Sequence, residues 1–275
     1  MKDTKKNYKD KIVFITGAAH GIGLSLARLY DQHGARVIAV DIDSENLKKA
    51  EKWLQNAYFF CCDITDRQRV YELGARIIRE IGVPDIVVNN AGIVENAKFL
   101  DCPDHLLEKT MNVNIISHFW VLKAFLPAMI SKGDGHICAI ASAAGLMGVP
   151  GMATYCASKH SVIGFTKALA LEVNQIPNAN IRFTIVSPSF ITTGMFEGVK
   201  PPLFTPLLSQ EKIANIIFRS VDKNREIVLE PFMVKLLPLL SAILPNKVFN
   251  FVARTFRVTQ AMDDILLKQK RVLKS

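Results

Sequence analysis

The amino-acid sequence predicts an α/β protein, a doubly wound parallel seven-stranded sheet with helices on both faces and a C-terminal helical extension. Between residue 11 and about residue 230, short β-rich segments alternate with longer helical patterns, which is typical of repeated β-α units. The first β-rich segment ends in a glycine-rich turn, and a helical pattern follows directly. After Pro231 the pattern changes to apolar helical pieces interrupted by Pro238 and Pro245, so we expect an extension there.

Seven strands and six helices are predicted from this alternation. The strands are expected at residues 11–16, 36–41, 57–63, 85–90, 136–142, 181–187 and 226–230. The helices are expected at residues 22–33, 44–55, 67–81, 104–131, 153–174 and 209–221. Ser209 can cap the last helix with its hydroxyl. The proline-rich segment 200–206 is predicted to be a loop at the carboxyl edge of the sheet, which makes it a candidate substrate lid.

The cysteines and the N-terminus indicate a cytoplasmic protein. The five cysteines form an odd set with no C-x-x-C spacing and no paired His/Cys cluster. This pattern argues for a reducing compartment and predicts no metal site. The charged N-terminus does not show the pattern of a signal peptide. The apolar segment 236–246 is too short to span a bilayer.

The net charge of +9 lies entirely at the two ends of the chain. Residues 1–12 carry five Lys against two Asp, residues 231–275 carry eight Lys or Arg against two Asp, and residues 13–230 balance at 21 against 21. We therefore expect no nucleic-acid partner. Basic and apolar residues alternate after residue 231, which indicates an amphipathic segment in peripheral contact with a membrane. The alternative is a basic helix packed on its own domain or on a second subunit.

The turn T-G-A-A-H-G-I-G, residues 16–23, predicts a dinucleotide site of the Rossmann type. Gly17, Gly21 and Gly23 supply a tight turn, a close backbone approach to a pyrophosphate and a close helix-to-strand contact. Asp41 ends the second strand, where a carboxylate accepts hydrogen bonds from the adenosine ribose and repels a 2′-phosphate. This favours NAD over NADP. The alternative is that Asp41 only caps the helix that begins near Ser44.

A phenol and an ammonium lie one helical turn apart in the segment Y-C-A-S-K. Tyr155 and Lys159 share a helix face, so the charge of Lys159 can favour the ionised phenol. A tyrosine that ionises near neutral pH is a general base. Taken alone, the spacing also fits a half-buried pair on an amphipathic helix. Cys156 points away from this face and is expected to pack against the sheet or another subunit.

Five motifs in one order resemble the short-chain dehydrogenase/reductase family over residues 11 to about 230. They are T-G-x-x-x-G-x-G at 16–23, N-N-A-G at 89–92, Asn114, Ser142 thirteen residues before the tyrosine, and Y-x-x-x-K at 155–159. The segment S-H-F-W at 117–120 and the apolar, basic C-terminus are similar to the hydroxysteroid and retinol dehydrogenase branch. The resemblance implies an NAD-binding domain with a built-in catalytic site over residues 1–230, followed by the extension 231–275.

The resemblance implies a catalytic set of four residues: Asn114, Ser142, Tyr155 and Lys159. Tyr155 would exchange a proton with the substrate oxygen as a hydride moves to or from the carbon. Lys159 would lower the pKa of Tyr155 and hold the nicotinamide ribose, and Ser142 would orient the substrate oxygen. Asn114 would hold a water that links Lys159 to solvent.

The implied cofactor is NAD, with NADP as the less favoured choice. The implied cofactor-binding residues are Gly17, Ala19, His20, Gly21, Ile22, Gly23, Asp41, Ile42, Cys62, Asp63, Ile64, Asn90, Ala91, Gly92, Tyr155, Lys159, Pro188, Ser189, Ile191 and Thr193. His20 lies where NADP-preferring relatives often carry a basic residue, but Asp41 opposes a 2′-phosphate. Ser189 departs from the family, which usually has glycine there. The departure puts the local backbone path in question, because glycine tolerates φ values that serine resists.

The implied reaction interconverts an alcohol and its carbonyl, and the apolar loops predict a lipophilic substrate. The loops 144–152 and 194–204 share apolar side chains and few charges: Leu146, Met147, Val149, Met152, Met195, Phe196, Leu203 and Phe204. Such a lining favours a secondary alcohol of steroid, retinoid or long-chain type. The family resemblance also implies a homodimer or homotetramer built through the helices at 104–131 and 153–174. The alternatives are an idle dinucleotide sensor or scaffold, and a membrane-tethering protein whose tail is the function.

Overall fold

Seven parallel strands form one sheet in a computed structural model that describes residues 8–192, 201, 205–260 and 262. The strands are β1 (Ile12–Thr16), β2 (Arg36–Asp41), β3 (Ala57–Cys61), β4 (Ile86–Asn89), β5 (Asp134–Ile140), β6 (Asn180–Pro188) and β7 (Ile227–Glu230). Their order across the sheet is β3-β2-β1-β4-β5-β6-β7, and all neighbours pair in parallel. The predicted doubly wound parallel sheet is therefore confirmed.

Nine α-helices in the described part of the chain surround the sheet and follow it. They are α1 (Gly21–Gln32), α2 (Ser44–Ala50), α3 (Arg67–Glu80), α4 (Asp104–Met111), α5 (Ser117–Lys132), α6 (Ala153–Asn174), α7 (Gln210–Asp222), α8 (Phe232–Ile243) and α9 (Asn246–Thr255). Helices α1 and α7 pack together on one face, and α3 and α5 pack together on the other. Because both faces are covered, central strands such as β1 are apolar and buried along their length.

The second predicted helix ends earlier than expected. We predicted residues 44–55, whereas α2 ends at Ala50. The backbone N–H groups of Gln55 and Asn56 donate to the carboxylate of Asp31 on α1. These bonds draw the chain back towards the sheet before β3, so the helix cannot continue.

The helix predicted at 104–131 contains a π-helical turn at Asn112–Ile116, between α4 and α5. A π turn holds one extra residue and changes the direction of the side chains that follow, and such turns are frequent at functional sites. The whole helix from Asp104 to Lys132 is long and apolar enough to cross a membrane by length and composition. Its apolar residues Val121, Phe125 and Met129 are buried against the sheet, and this packing accounts for its composition.

The C-terminal extension forms two helices in a different way from the one predicted. We expected Pro238 to interrupt the helical pattern, but Pro238 lies inside α8. Residues on either side of Pro238, among them Leu237 and Leu240, line an apolar cavity, and this burial outweighs the hydrogen bond that proline removes. Pro245 does separate the helices, because it precedes α9 as its N-cap.

Candidate active site

The glycine-rich turn between β1 and α1 has the geometry of a dinucleotide cradle. Gly17 and Gly21 adopt φ values of +67° and +61°, which side chains resist. A Cβ on Gly23 would lie 1.9 Å from the carbonyl oxygen of Gly17, so only glycine allows the helix to approach the strand. A Cβ on Gly21 would meet nothing within 4 Å, which leaves open space in front of the α1 N-terminus. The cradle therefore fits a pyrophosphate.

The N-N-A-G segment at the end of β4 is hydrogen-bonded to this glycine-rich turn. The Thr16 hydroxyl accepts the backbone N–H groups of Asn90 at 3.0 Å and Ala91 at 3.1 Å. The amide nitrogen of Asn90 donates to the carbonyl oxygens of Thr16 and Gly17. A Cβ on Gly92 would lie 3.4 Å from the Lys159 ammonium, so the segment joins the cradle to the second half of the site.

Asp41 is a buried carboxylate at the carboxyl end of β2, and it does not cap α2. Its Oδ2 accepts the backbone N–H of Ala19 at 3.0 Å, and its Oδ1 accepts the N–H of Asp43. Asp43 is the N-cap of α2, because its side chain accepts the N–H of Asn46. The capping alternative for Asp41 is therefore wrong. The carboxylate lies beside the glycine turn, where an adenosine ribose would meet it.

The predicted adenine side of the site lies at the ends of β2 and β3. Ile42 is 65% exposed at this edge, an unusual state for isoleucine. Cys62 and Ile64 are buried, and Asp63 between them accepts hydrogen bonds from the N–H and the hydroxyl of Thr65. Ile22 is half-buried on α1, and His20 is its exposed N-cap without a side-chain capping bond. An exposed apolar side chain next to fixed polar groups fits a flat heteroaromatic ring.

The last group of predicted cofactor-binding residues lies at and after the end of β6. Pro188 is the last residue of the strand, and Ile191 is buried and bridged to Leu208. Ser189 donates its N–H to Glu230, and its φ is not among the positive values, so the change from glycine introduces no strain. Thr193 lies outside the described residues.

Tyr155, Ser142 and Lys159 meet at the first turn of α6. The hydroxyl groups of Tyr155 and Ser142 are hydrogen-bonded, and both side chains are buried. The Lys159 ammonium lies 5.7 Å from the Tyr155 ring centroid and donates to the carbonyl oxygen of Ile140 at 2.9 Å. The expected shared helix face is confirmed, and the ammonium points to the end of β5.

Burial sets the direction of the pKa shift of both Tyr155 and Lys159. Burial raises the pKa of Tyr155 to about 12, and the hydrogen bond with Ser142 acts in the opposite direction. Burial also lowers the pKa of Lys159 to about 8. Low polarity around both groups favours their neutral forms. The neutral phenol is the form that can donate a proton to a carbonyl oxygen.

Asn114 joins the β4 loop to α6. It lies in the π turn, is fully buried, and accepts the N–H of Ile93 at 2.8 Å. Its two amide hydrogens go to the Ile93 carbonyl and the Ser158 hydroxyl. The expected relay through a water would therefore have to use an oxygen of Asn114, because its amide donors already have protein partners.

An apolar cavity of about 340 Å³ opens onto Ser142. Met147, Val149 and Met152 line one side, as expected from the loop 144–152, whereas Leu146 does not line it. The opposite wall comes from α8, from α9 and from the residue that follows α9, and its side chains include Met233, Leu236, Leu237, Leu240, Phe249, Val252 and Phe256. Met195, Phe196, Leu203 and Phe204 lie outside the described residues, and of the candidate lid only Pro201, Thr205 and Pro206 are described.

The family model described as short chain dehydrogenase matches residues 11–202. The chain belongs to the short-chain dehydrogenase family. Epidermal retinol dehydrogenase 2 of Homo sapiens is 36% identical over 98% of this chain and 89% of its own. Estradiol 17-beta-dehydrogenase 11 of Macaca fascicularis is 33% identical over 92% of this chain and 86% of its own. The expected resemblance to the hydroxysteroid and retinol dehydrogenase branch is confirmed.

A solved structure supports the fold of this short-chain dehydrogenase. A short chain dehydrogenase/reductase from Burkholderia phymatum, crystallised with NAD, aligns with a TM-score of 0.76 at 21% identity. The alignment covers 86% of this chain and 94% of the other. Family membership makes the protein an NAD(P)-dependent oxidoreductase that acts on CH–OH groups. The alternative of an idle sensor or scaffold is not supported.

Three features of this short-chain dehydrogenase were missed at the sequence level. Glu95 accepts the backbone N–H of Tyr155 from 60 residues away, and no local pattern signals such a bond. His118 is fully buried one turn after Asn114, and burial together with the charge of Lys159 lowers its pKa to about 3. The wall formed by α8 and α9 was expected only as an extension, although its apolar spacing was visible in the sequence.

Proposed function

We propose that the protein interconverts a lipophilic secondary alcohol of steroid, retinoid or long-chain type with its carbonyl, using NAD. The observation that carries this proposal is the apolar cavity that opens onto Ser142. Its volume of about 340 Å³ lies within the range of small-molecule sites, roughly 300–1,000 Å³. Only a few polar groups, among them the Ser142 and Ser189 hydroxyls, reach the cavity wall. Relatives named as retinol and estradiol dehydrogenases support the same substrate class.

We assign Tyr155, Ser142 and Lys159 the proton chemistry at the substrate oxygen. When bound, NAD supplies the carbon that accepts the hydride from the alcohol carbon. Tyr155 takes the hydroxyl proton during oxidation and returns it to the carbonyl oxygen during reduction. The Ser142 hydroxyl, which is hydrogen-bonded to the Tyr155 phenol, orients the substrate oxygen. Lys159 contributes the nearby positive charge that favours the ionised phenol during oxidation, and Asn114 fixes the β4 loop against α6.

Asp41 supports NAD as the cofactor in preference to NADP. Its carboxylate is held by two backbone N–H groups at the position where the adenosine ribose would lie. A 2′-phosphate there would meet a like charge, whereas ribose hydroxyls can donate to the remaining lone pairs. The glycine cradle, the Asn90 segment and the exposed Ile42 form the rest of the proposed cofactor site.

The proposal is tested by following nicotinamide absorbance with purified protein, NAD or NADP, and a panel of alcohols. The panel holds a steroid, a retinoid, a long-chain secondary alcohol and a small polar polyol, and Tyr155→Phe is the control. We expect NAD-dependent turnover of a lipophilic alcohol that is lost in the variant. Equal or better turnover of the polyol would refute the substrate class. Full activity of Tyr155→Phe would refute the proton-transfer role.

We propose that residues 1–230 form the cofactor-binding unit and that residues 231–275 are an accessory extension that closes its pocket. The inner faces of α8 and α9 support this, because Leu237 on α8 and Phe249 on α9 line the cavity. A chain that ends after Pro231 is expected to keep NAD binding and to lose selectivity for lipophilic alcohols. Unchanged selectivity of the truncated chain would contradict the proposed wall.

We further propose that the outer faces of α8 and α9 touch an anionic membrane surface. Phe232, Leu239 and Ile243 lie on one stripe of α8, and all three are more than half exposed. On α9, the exposed side chains of Lys247, Phe251 and Arg254 share a face. Residues 231–260 contain four basic residues and no acidic one. Exposed apolar groups flanked by cations fit an anionic lipid surface.

Vesicle sedimentation with the full chain tests this contact. We expect binding to vesicles that contain phosphatidylserine and weaker binding to phosphatidylcholine alone. Phe251→Asp should abolish the binding, whereas Trp53→Asp, which changes an exposed aromatic residue near the opposite edge of the sheet, should not. Equal binding of the Phe251 variant and the parent protein would overturn the proposal.

We also propose that the protein is cytoplasmic and that it forms an oligomer. All five cysteines are unpaired, and four of them are buried, which is consistent with a reducing compartment. We propose a homodimer or homotetramer formed through α5 and α6. Leu171 on α6 is 67% exposed and is a candidate contact residue. Light scattering should give a mass that is a multiple of the chain mass of 30.6 kDa, and a monomer would contradict this assembly.

A further inference from the structure

The N-terminus of the catalytic helix α6 is capped by a residue from another element. The N-cap Met152 makes no side-chain capping bond, and helix-terminal N–H groups need partners from outside the helix. The backbone N–H of Cys156 already donates to the Met152 carbonyl. The N–H of Tyr155 donates to Oε1 of Glu95 at 3.0 Å. The capped residue is thus the tyrosine to which we assign proton transfer.

The loop that carries Glu95 is seated on the first turn of α6. Val94 packs against the apolar cluster that contains Met152, Tyr155 and Cys156. The second carboxylate oxygen of Glu95, Oε2, is buried and accepts no hydrogen bond from the described residues. Glu95 is therefore a fixed, partly desolvated charge at the first turn of α6, and it differs in this from a solvated surface glutamate.

The charge of Glu95 has two opposite effects on α6. At the helix N-terminus a carboxylate stabilises the helix, because the helix dipole is positive there. Burial is the largest cause of the raised pKa of Tyr155, and the same charge of Glu95 opposes ionisation of the phenol and adds a smaller contribution. Other titratable groups surround the pair: Lys159 and Cys156 on α6, Cys102 before α4, and His118 on α5 near Lys159. Of these groups only Lys159 supplies a positive charge at neutral pH.

We propose that Glu95 is a positioning residue for the reaction: it holds the backbone of Tyr155 in place, and its negative charge moves the pH dependence of alcohol oxidation to higher pH. The geometry supports the first part through one direct bond to the tyrosine backbone. The second part follows because the Glu95 carboxylate is held against the backbone of the residue that carries the phenol, and its charge opposes ionisation of that phenol. This inference rests on the proposed role of Tyr155 as the proton acceptor.

Two substitutions of Glu95 separate the effect of its hydrogen bond to Tyr155 from the effect of its charge. Glu95→Gln keeps a hydrogen-bond acceptor of the same size and removes the charge, whereas Glu95→Ala removes both. Glu172→Gln, which changes an exposed glutamate on α6, is the matched control. The measurement is the pH profile of kcat and kcat/KM for alcohol oxidation, together with KM for NAD and the melting temperature of each variant.

We expect Glu95→Gln to keep its maximal kcat and to shift the profile by up to about one pH unit towards acid. Without the acceptor, Glu95→Ala should lose about tenfold or more in kcat, because small displacements of a reacting group have large effects on rate. KM for NAD should stay unchanged in both variants, and Glu172→Gln should match the parent protein.

An unshifted profile for Glu95→Gln would overturn the electrostatic part. A lower melting temperature in Glu95→Ala with unchanged kcat would overturn the positioning part, because it would indicate a purely structural cap. If Glu95→Ala does not fold, Glu95→Asp replaces it, and full kcat in that shortened variant would equally contradict positioning. Tyr155→Phe separates the two proposals. Full activity in that variant would refute the role of Tyr155 and with it the inference about Glu95, whereas loss of activity in Tyr155→Phe with an unshifted profile and full kcat in the Glu95 variants would refute the role of Glu95 alone.

Discussion

The buried ammonium of Lys159 lowers the stability of the protein, so we expect Lys159→Met to unfold at higher urea concentration at pH 7. Burial lowers the pKa of Lys159 from 10.5 to about 8. This difference corresponds to about 3 kcal/mol against the charged form in the folded protein. Methionine has a similar volume and no charge, but it leaves the Ile140 carbonyl without its donor, at a cost of about 1 kcal/mol. The net gain is then about 2 kcal/mol.

The pH dependence of this gain follows from the sign of the shift. The folded pKa lies below the unfolded one, so between about pH 8 and 10.5 the unfolded chain binds more protons than the folded protein. The stability of the parent protein therefore rises with pH through this window, and that of the variant lacks this rise. We expect the advantage of Lys159→Met to be full below about pH 8 and nearly absent at about pH 10.

Urea unfolding at pH 7 and at pH 10, followed by circular dichroism, measures both effects. Lys167→Met, which replaces an exposed lysine on the same helix, is the matched control and should change stability little. Lys159→Met should also lose alcohol oxidation, since no cation remains beside Tyr155. A less stable Lys159→Met at pH 7, or a gain that persists unchanged at pH 10, would show that the ammonium is not desolvated as the structure indicates.

Three further outcomes are expected. Gly23→Ala places a Cβ 1.9 Å from the Gly17 carbonyl oxygen and should raise the Kd for NAD, measured by calorimetry, more than tenfold; Gly164→Ala, where a Cβ meets nothing within 4 Å, should bind normally. Asp41→Ala should lower the ratio of kcat/KM for NAD over NADP by about tenfold or more, because the charge that repels a 2′-phosphate is removed, and an unchanged ratio would contradict its assignment. Burial alone would raise the pKa of Asp85, but hydrogen bonds from Lys132, the Ile12 N–H and Lys11 lower it overall. The ionised Asp85 carboxylate therefore contributes to the free energy of unfolding above its ordinary pKa, and this contribution is lost as pH falls. Asp85→Asn should lower the free energy of unfolding by about 2 kcal/mol at pH 7 and by little in acid. A loss that is equal at both pH values would refute the ion-pair explanation.

Motifs that act through local backbone geometry were readable from the sequence. Gly17, Gly21 and Gly23 each have the conformation or the close contact for which glycine was predicted, because these constraints arise within one turn of chain. The span of α6, residues 153–174, was also predicted correctly from its helical pattern. Asp41 was placed correctly at the end of β2, and the structure rejected its capping alternative because Asp43 occupies that position.

Features that depend on contacts between distant segments could not be predicted in this way. The π turn around Asn114 forms where the helix packs against the β4 loop through Ile93, a contact 21 residues apart. The raised pKa of Tyr155 comes mainly from burial by several elements, and the spacing between Tyr155 and Lys159 along the chain carries no information about that burial.

The sequence by itself determined the family, the parallel sheet, the glycine cradle and the catalytic tyrosine–lysine spacing, because each is encoded by neighbours along the chain. Only the tertiary structure decided what surrounds the phenol. It brought Glu95 to the Tyr155 backbone from 60 residues away and closed the cavity beside Ser142 with α8 and α9. Desolvation and hydrogen bonding depend on which surfaces exclude water from each other, and that property arises only when the whole chain has packed.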